Sequence, residues 1–246
     1  MSLPVFLWAD GELPVPGSAV ELVGPEARHA VTVKRLCPGE QLVLIDGRGH
    51  GVHATVTGTS GKDRLLVAVG EGVEKRASVP QVTVVQAIPK SERAELAVDL
   101  ATQAGADRIV PWQASRCIAK WGAKADKALL KWRNQALASA KQARRFTVPD
   151  VAPLATTTDV AALIARTDGP ALLLHEEAAV PFASLDYSQA QEVLLVVGPE
   201  GGLSPAEVER FTGAGAQAVK LGPEVLRTAS AAFAALSALG VLTSRW

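Results

Sequence analysis

Five short apolar runs, each followed by a stretch of helical length, occupy the last two thirds of the chain. VTVVQAI (Val82 to Ile88), RIVPW, ALLLHE, EVLLVVG and QAVKLG show little apolar/polar alternation, so strands made of them must be covered on both faces. Buried strands alternating with helices imply an α/β domain around a mostly parallel sheet. Ser91 is expected to N-cap a helix running through AELAVDLATQA to Gly105, and a long helix is expected from about Asp126 to Arg145. Ser204, Pro205 and Glu207 spell a capping box with proline at the first helical position, and TASAAFAALSALGVL reads as the closing helix. The longest charge-free run, Thr228 to Ser244, holds five Ser or Thr in 17 residues. It reads as a buried helix, not a membrane span.

Upstream the period is different. QLVLIDG, GVHATVTG and RLLVAVG are short strand-like segments separated by glycine-rich turns, the pattern of a small β-barrel. GEGVEKRASVP, from Gly70 to Pro80, has the composition of a linker. Two domains are therefore expected, 1–74 and 79–246, and no internal repeat is visible.

The chain has 246 residues, with 25 Lys+Arg against 25 Asp+Glu, so no global field draws it to nucleic acid or to an anionic membrane. The charge is concentrated locally. Arg116 to Arg145 contains nine basic residues against Asp126 alone, with Lys120, Lys124, Lys127 and Lys131 at helical spacing and Trp121 and Trp132 interleaved. Such a window points to RNA contact. Two cysteines exclude a disulfide framework and fit a reducing cytoplasm; Cys37 is expected to be a small buried hydrophobe. The start, MSLPVFLWADG, lacks the basic region of a secretory signal. His50 and His53 have no third ligand close in sequence, and no metal site is expected.

In an open parallel sheet ligands bind where strands end and loops begin. HEEAAVP after Leu174, GPEGGLSP after Val197 and GPEVLRTAS after Leu221 are the loops to examine. None carries the lysine of a P-loop, and no GxGxxG follows the first strand of the α/β domain.

GPEGGLSPAEVE with LGPEVLRTASAA resembles the paired C-terminal motifs of the SPOUT methyltransferases, within them the ribosomal RNA small subunit methyltransferase E family. HAVTVKRLCPGEQLVLIDG, QAIPKSERAELAVDLATQAGAD, SRC and KQARRFTVPDV extend the resemblance collinearly over nearly the whole chain. Ala229 and Ser230 depart from it, standing where the family often has Glu-Thr. The resemblance implies a PUA-like β-barrel followed by a SPOUT domain with a C-terminal trefoil knot, working as a cytoplasmic homodimer. It implies that S-adenosylmethionine is bound by Leu174, His175, Gly198, Gly202, Leu221, Gly222, Leu226 and Thr228. The implied reaction methylates N3 of a uridine in 16S rRNA near the decoding centre of the 30S subunit, with neither metal nor membrane involved.

N3 of uracil carries a proton and lies on the Watson–Crick edge, so the base must be unpaired and the proton lost. A cation would stabilise the resulting anion. Arg145 and Arg227 are the candidates by residue type and motif, and Glu200 is an available base. RNA contact falls to His29, Lys34, Arg35, Lys90, Arg116, Lys124 and Arg144. Two alternatives remain open: a related SPOUT enzyme acting on a ribose 2′-OH, and a non-catalytic RNA-binding or assembly protein retaining the fold.

Overall fold

Hydrophobic alternation builds the N-terminal unit. The computed structural model describes residues 3–75 and 78–246, and the side chains of all of these but Ser91 and Glu92. Strands β1 (Val5–Leu7), β2 (Ala19–Val23), β3 (Gln41–Ile45), β4 (His50–Ser60) and β5 (Arg64–Glu74) form a sheet in the order β1-β3-β4-β5-β2. β1 pairs with β3 in parallel and the other pairs are antiparallel. Leu42 and Leu44 of β3 enter one core with Phe6, Leu65 and Val67, while Val43 and Ile45, on the opposite face, enter a second with Val5 and Phe146. Period-two alternation thus buries both faces of one strand. Helix α1 (Gly24–Arg28) and a π turn over His29–Val33 bury Ala27 and Ala30 in the first core.

The expected linker begins later than its composition suggests. β5 continues through Glu74 because β4 is long enough to pair with it, Gly51 opposite Val73 and His50 opposite Glu74, and Val73 packs on the second core. The two compact units are also not contiguous in sequence: Ala140–Val148 groups with Met1–Ala77, and the other unit is Ser78–Ser139 with Pro149–Trp246. Cys37, expected inside, is exposed. It sits in a polar turn, where its N–H donates to Glu40 Oε2 at 2.6 Å.

The second unit holds a six-stranded sheet in the order β11-β9-β10-β6-β7-β8, parallel throughout. Its strands are β6 (Gln81–Ala87), β7 (Arg108–Trp112), β8 (Asp150–Val151), β9 (Ala171–Leu174), β10 (Glu192–Val197) and β11 (Gln217–Val219). The helices are α2 (Ser91–Gln103), α3 (Ala125–Gln142), α4 (Thr157–Ile164), α5 (Pro205–Gly213) and α6 (Thr228–Leu242). Val82, Val84, Val85 and the whole run Val193–Val197 are buried, which is why these strands carry no polar alternation. The short elements β8 and α4 were not legible as part of the pattern.

Two helix ends differ from expectation. Ser91 is the first helical residue of α2 and Lys90 occupies the cap position, a shift of one residue. α3 stops at Gln142, not Arg145, because Arg144 adopts φ +55°. Its N–H donates to Lys141 O at 3.0 Å and that of Arg145 to Ala140 O at 2.9 Å. This is a Schellman ending with arginine where glycine is usual.

The chain's end is tied to the sheet. The Arg245 guanidinium, 4% exposed, donates to Asp107 Oδ2 at 3.0 Å and to the carbonyls of Pro80 and Gly105. Asp107 Oδ2 also accepts the Val82 N–H at 2.8 Å. The latch therefore joins the segment after α6 to the start of β6. Removing one partner of a buried ion pair strands the other. Arg245→Ala should lower unfolding stability by about 3 kcal/mol in urea titration, and Arg245→Lys should recover only part of it, because an ammonium cannot span the three acceptors as a planar fork does.

Candidate active site

The order of the sheet fixes where a ligand can enter. From β6 the chain moves outward to β7 and β8, then crosses to β9 and returns to place β10 beside β6. The carboxyl ends of β9 and β10 lie at this switch point, where an open parallel sheet leaves a crevice. A cavity of about 260 Å³ sits there, lined by Leu174, Glu176, Val197 to Glu200, Gly202, Leu203, Val225 to Thr228 and Ala231. A smaller one of about 70 Å³, which shares Leu174, Glu176, Val225, Leu226 and Ala231, adds His175, Lys220, Leu221, Gly222 and Glu224. Every residue expected to bind a cofactor therefore lines one cavity or the other.

The walls are made by the two Gly-Pro-Glu loops. Gly202 has φ +71°, a conformation that disfavours any side chain. A Cβ at Gly198 would lie 3.1 Å from Leu203 Cγ. Glu200 accepts the Lys90 N–H on Oε1 at 3.1 Å, while its Oε2 is buried without a hydrogen-bond partner among the described residues. Such an atom is costly to leave unmade and marks a place for a donor or a cation. Val225 is 75% exposed and Leu226 is exposed beside it, an apolar rim on a polar loop.

Outside the lining, three residues hold these loops. Glu207 is buried and accepts from Ser115 N at 2.7 Å, Ser115 Oγ at 3.0 Å, Ser204 N at 3.0 Å and Ser204 Oγ at 2.8 Å. The capping box expected from the sequence is present, but the reach to Ser115 is not a local signal. Arg116 Nη1 donates to Leu203 O at 2.9 Å and Gly201 O at 3.4 Å. Buried Gln86 donates through Nε2 to Thr228 O at 3.4 Å and to Ala87 O at 3.0 Å. A single amide in the apolar run VTVVQAI was the available clue to Gln86.

Of the residues expected to perform chemistry, Glu200 and Arg227 line the larger cavity. Arg145 belongs to the N-terminal unit, where Nη2 donates to Thr147 Oγ1 at 3.2 Å. His29, Lys34, Arg35 and Arg144 lie in that unit too. Burial and the nearby charges of Lys141 and Lys34 lower the His29 pKa against the opposing pull of Glu26. Lys124 closes a 3₁₀ turn and Lys127 and Lys131 lie on α3, so the four lysines do not share one α-helical face. Trp121 and Trp132 are buried and pack edge to face with ring centroids 5.2 Å apart. They serve the core of the second unit, not a stacking surface.

Comparison with known proteins agrees with this arrangement. A family model described as an RNA methyltransferase domain matches residues 75–240, and one described as an RNA methyltransferase PUA domain matches residues 22–69. The chain is 46% identical over 238 residues to ribosomal RNA small subunit methyltransferase E of Mycobacterium bovis, covering 95% of this chain and 90% of that protein. The chain belongs to the ribosomal RNA small subunit methyltransferase E family. The Bacillus subtilis member is 30% identical over 231 residues, covering 90% of each chain. The solved structure of the family member from Neisseria gonorrhoeae, bound to S-adenosyl methionine, gives a TM-score of 0.85 at 27% identity over 98% of each chain.

Burial pushes the Glu207 carboxyl up, but hydrogen bonds from the N–H and hydroxyl groups of Ser115 and Ser204 outweigh it, and its pKa is lowered below the usual 4.5. A carboxylate with a depressed folded-state pKa stabilises fully above its unfolded value and loses that contribution as pH falls through the folded one. Thermal unfolding of the wild type should therefore show a loss of stability setting in below about pH 4.5. Glu207→Gln, less stable at neutral pH, should show a shallower acid dependence.

Proposed function

We propose that this chain transfers a methyl group from S-adenosylmethionine to N3 of a uridine in 16S rRNA near the decoding centre of the small ribosomal subunit. The observation that carries the reading is the switch-point cavity walled by both Gly-Pro-Glu loops in a member of this family. The cavity residues suit the cofactor. Gly198 and Gly202 leave room for a close approach, Val225 and Leu226 offer apolar cover, and Glu176, Glu200 and Glu224 supply negative charge for a cationic molecule. Leu174, His175, Gly198, Gly202, Leu221, Gly222, Leu226 and Thr228 are the residues assigned to hold it.

The cofactor, when bound, supplies an activated methyl group. What the chain must do is hold the acceptor base unpaired, in line, and shielded from water. Arg227 and Arg145 are assigned to the negative charge that forms on the uracil oxygens as N3 loses its proton. Glu200, whose Oε2 is buried without a hydrogen-bond partner among the described residues, is assigned as the base. The knotted threading and the homodimer belong to the same reading. In support of a dimer, α6 exposes Phe233, Val241 and Leu242 on an Ala-rich helix, and Leu96 is exposed on α2, which packs against it. Among the described residues no helix is long and apolar enough to cross a membrane.

Purified protein should methylate 30S subunits or 16S rRNA with S-adenosylmethionine as donor, and digestion should release 3-methyluridine. A 2′-O-methylated nucleoside would transfer the reading to the related class. Absence of both product and cofactor binding would leave an RNA-binding protein.

His29, Lys34, Arg35 and Arg144 are assigned to RNA, along with Lys90, Arg116 and Lys124. Arg35 supplies a test that separates function from stability. It is exposed and holds φ +55°, which costs an L-residue about 1 to 2 kcal/mol. Arg35→Gly should raise the melting temperature while weakening RNA binding and flattening its salt dependence. Stability and RNA affinity rising together would remove Arg35 from the interface.

A further inference from the structure

Both oxygens of Glu207 are committed to backbone N–H groups, Oε1 to Ser115 at 2.7 Å and Oε2 to Ser204 at 3.0 Å. The hydroxyls of Ser115 and Ser204 add bonds to Oε2 at 3.0 and 2.8 Å, and Thr157 Oγ1 stands 3.4 Å from Oε1. A hydroxyl can turn to accept, but a backbone N–H cannot. An ionised carboxylate accepts from both N–H groups with full strength; an amide sets its NH₂ against one of them, and a protonated acid accepts there only weakly.

A helix cap alone does not call for this. In α4 the same box is made by Thr156 and Asp159, with Thr156 N 2.8 Å from Asp159 Oδ2 and Asp159 N 3.3 Å from Thr156 Oγ1. Asp159 accepts only from Thr156 among the hydrogen bonds of this box. Glu207 instead joins the start of α5 to the Ser115 segment 92 positions earlier. The residue that follows Ser115 grips the cavity wall: Arg116 donates to Leu203 O and Gly201 O. The contact is close, since a Cβ on Gly201 would lie 3.1 Å from Arg116 O. Gly202 and Leu203, held between these anchors, line the cavity.

We infer that Glu207 is a positioning residue: through Ser115 and Arg116 it holds the 198–204 loop in the form that binds the methyl donor, without itself reaching the cavity. The inference rests on the reading that S-adenosylmethionine occupies this cavity. A wall that must be preorganised loses affinity when its support loosens, even if the fold survives.

Calorimetric titration with S-adenosylmethionine should be run on the full-length wild type and on Glu207→Gln, Arg116→Met and Asp159→Asn, with melting curves and steady-state kinetics on each. Glu207→Gln and Arg116→Met should raise the cofactor Kd and KM at least tenfold, with kcat at saturating cofactor changed less. Asp159→Asn should lower the melting temperature yet keep its Kd within twofold of the wild type. If wild type binds and both Glu207→Gln and Arg116→Met stay within twofold of it, Glu207 is only a cap and the inference is overturned. Should Glu207→Gln not fold, Arg116→Met decides alone, because exposed Arg116 can be replaced without emptying the core. A wild type that binds no cofactor refutes the cavity assignment itself, an outcome distinct from failure of the clamp.

Discussion

The pairing of β10 with β6 is the constraint on which the second unit depends. Six residues run in register, Gln81 to Gln86 beside Glu192 to Val197, although more than a hundred positions separate them. Parallel neighbours cannot be joined by a tight hairpin, so every connection must cross the sheet and every loop after a strand emerges at the same edge. Because β10 enters between β9 and β6, the loop that follows Val197 and the loop that follows Leu174 start side by side. The apolar content of the two strands enforces the arrangement: each buried valine or leucine contributes on the order of 1.5 to 3 kcal/mol relative to exposure, and a slip of one residue would misplace the whole set. The place of the cavity is thus a consequence of how these two strands pack.

Polar groups then brace the sheet at both edges, Arg245 where β6 and β7 begin and Glu207 beside the loop after β10. Arg245 and Glu207 are deeply buried ions, and each is surrounded by partners of the right kind, carbonyls and a carboxylate for the first and N–H groups for the second. Removing a partner from either would leave a charge in a low dielectric, which is why such groups fix one conformation among many. Glu200 Oε2 and Gln86 Oε1 present the opposite condition. Both are buried oxygens without a hydrogen-bond partner among the described residues, one in the cavity wall and one behind Thr228, which lines it. The satisfied ions lie outside the cavity lining, whereas Glu200 Oε2 lies in its wall and Gln86 Oε1 just behind it. That distribution is expected of a site whose remaining bonds come from what it binds.

The alternation of buried strands and helices was legible in the sequence because hydrophobic periodicity is a local property, and so was the capping box at Ser204. What lay beyond reach was long-range or backbone-specific. Ala140–Val148, which begins with the last residues of α3, groups with the first unit, and the hint in the sequence was Phe146, an aromatic in a basic stretch. The bond from Ser115 to Glu207 spans 92 positions, so no window could contain it. Trp121 and Trp132 illustrate the converse: the sequence shows them interleaved with lysines in a basic window, but that local pattern does not reveal that both rings are buried in the core. The cavity residues were named from a resemblance of motifs. Spacing alone would have left Gly198 and Gly202 as turn formers.

Two arginines in left-handed backbone, Arg35 and Arg144, carry different information despite the same φ of +55°. Strain at a non-glycine residue persists where its surroundings over-determine it. At Arg144 they do: its N–H bonds Lys141 O, its carbonyl accepts Lys75 Nζ at 3.0 Å, and its guanidinium donates to Leu3 O at 3.4 Å. Two residues on, Phe146 enters the core with Lys75 Nζ 4.7 Å from its ring centroid. The conformation of Arg144 is therefore maintained by structure, and its side chain contributes to that. Arg35 ends the π turn with Leu36 N bonded to Ala30 O and its own carbonyl facing Cys37 Sγ at 3.5 Å, bonds that a glycine would make equally well. The backbone at Arg35 therefore asks for nothing that a glycine would not supply, whereas at Arg144 the side chain itself is part of what holds the turn.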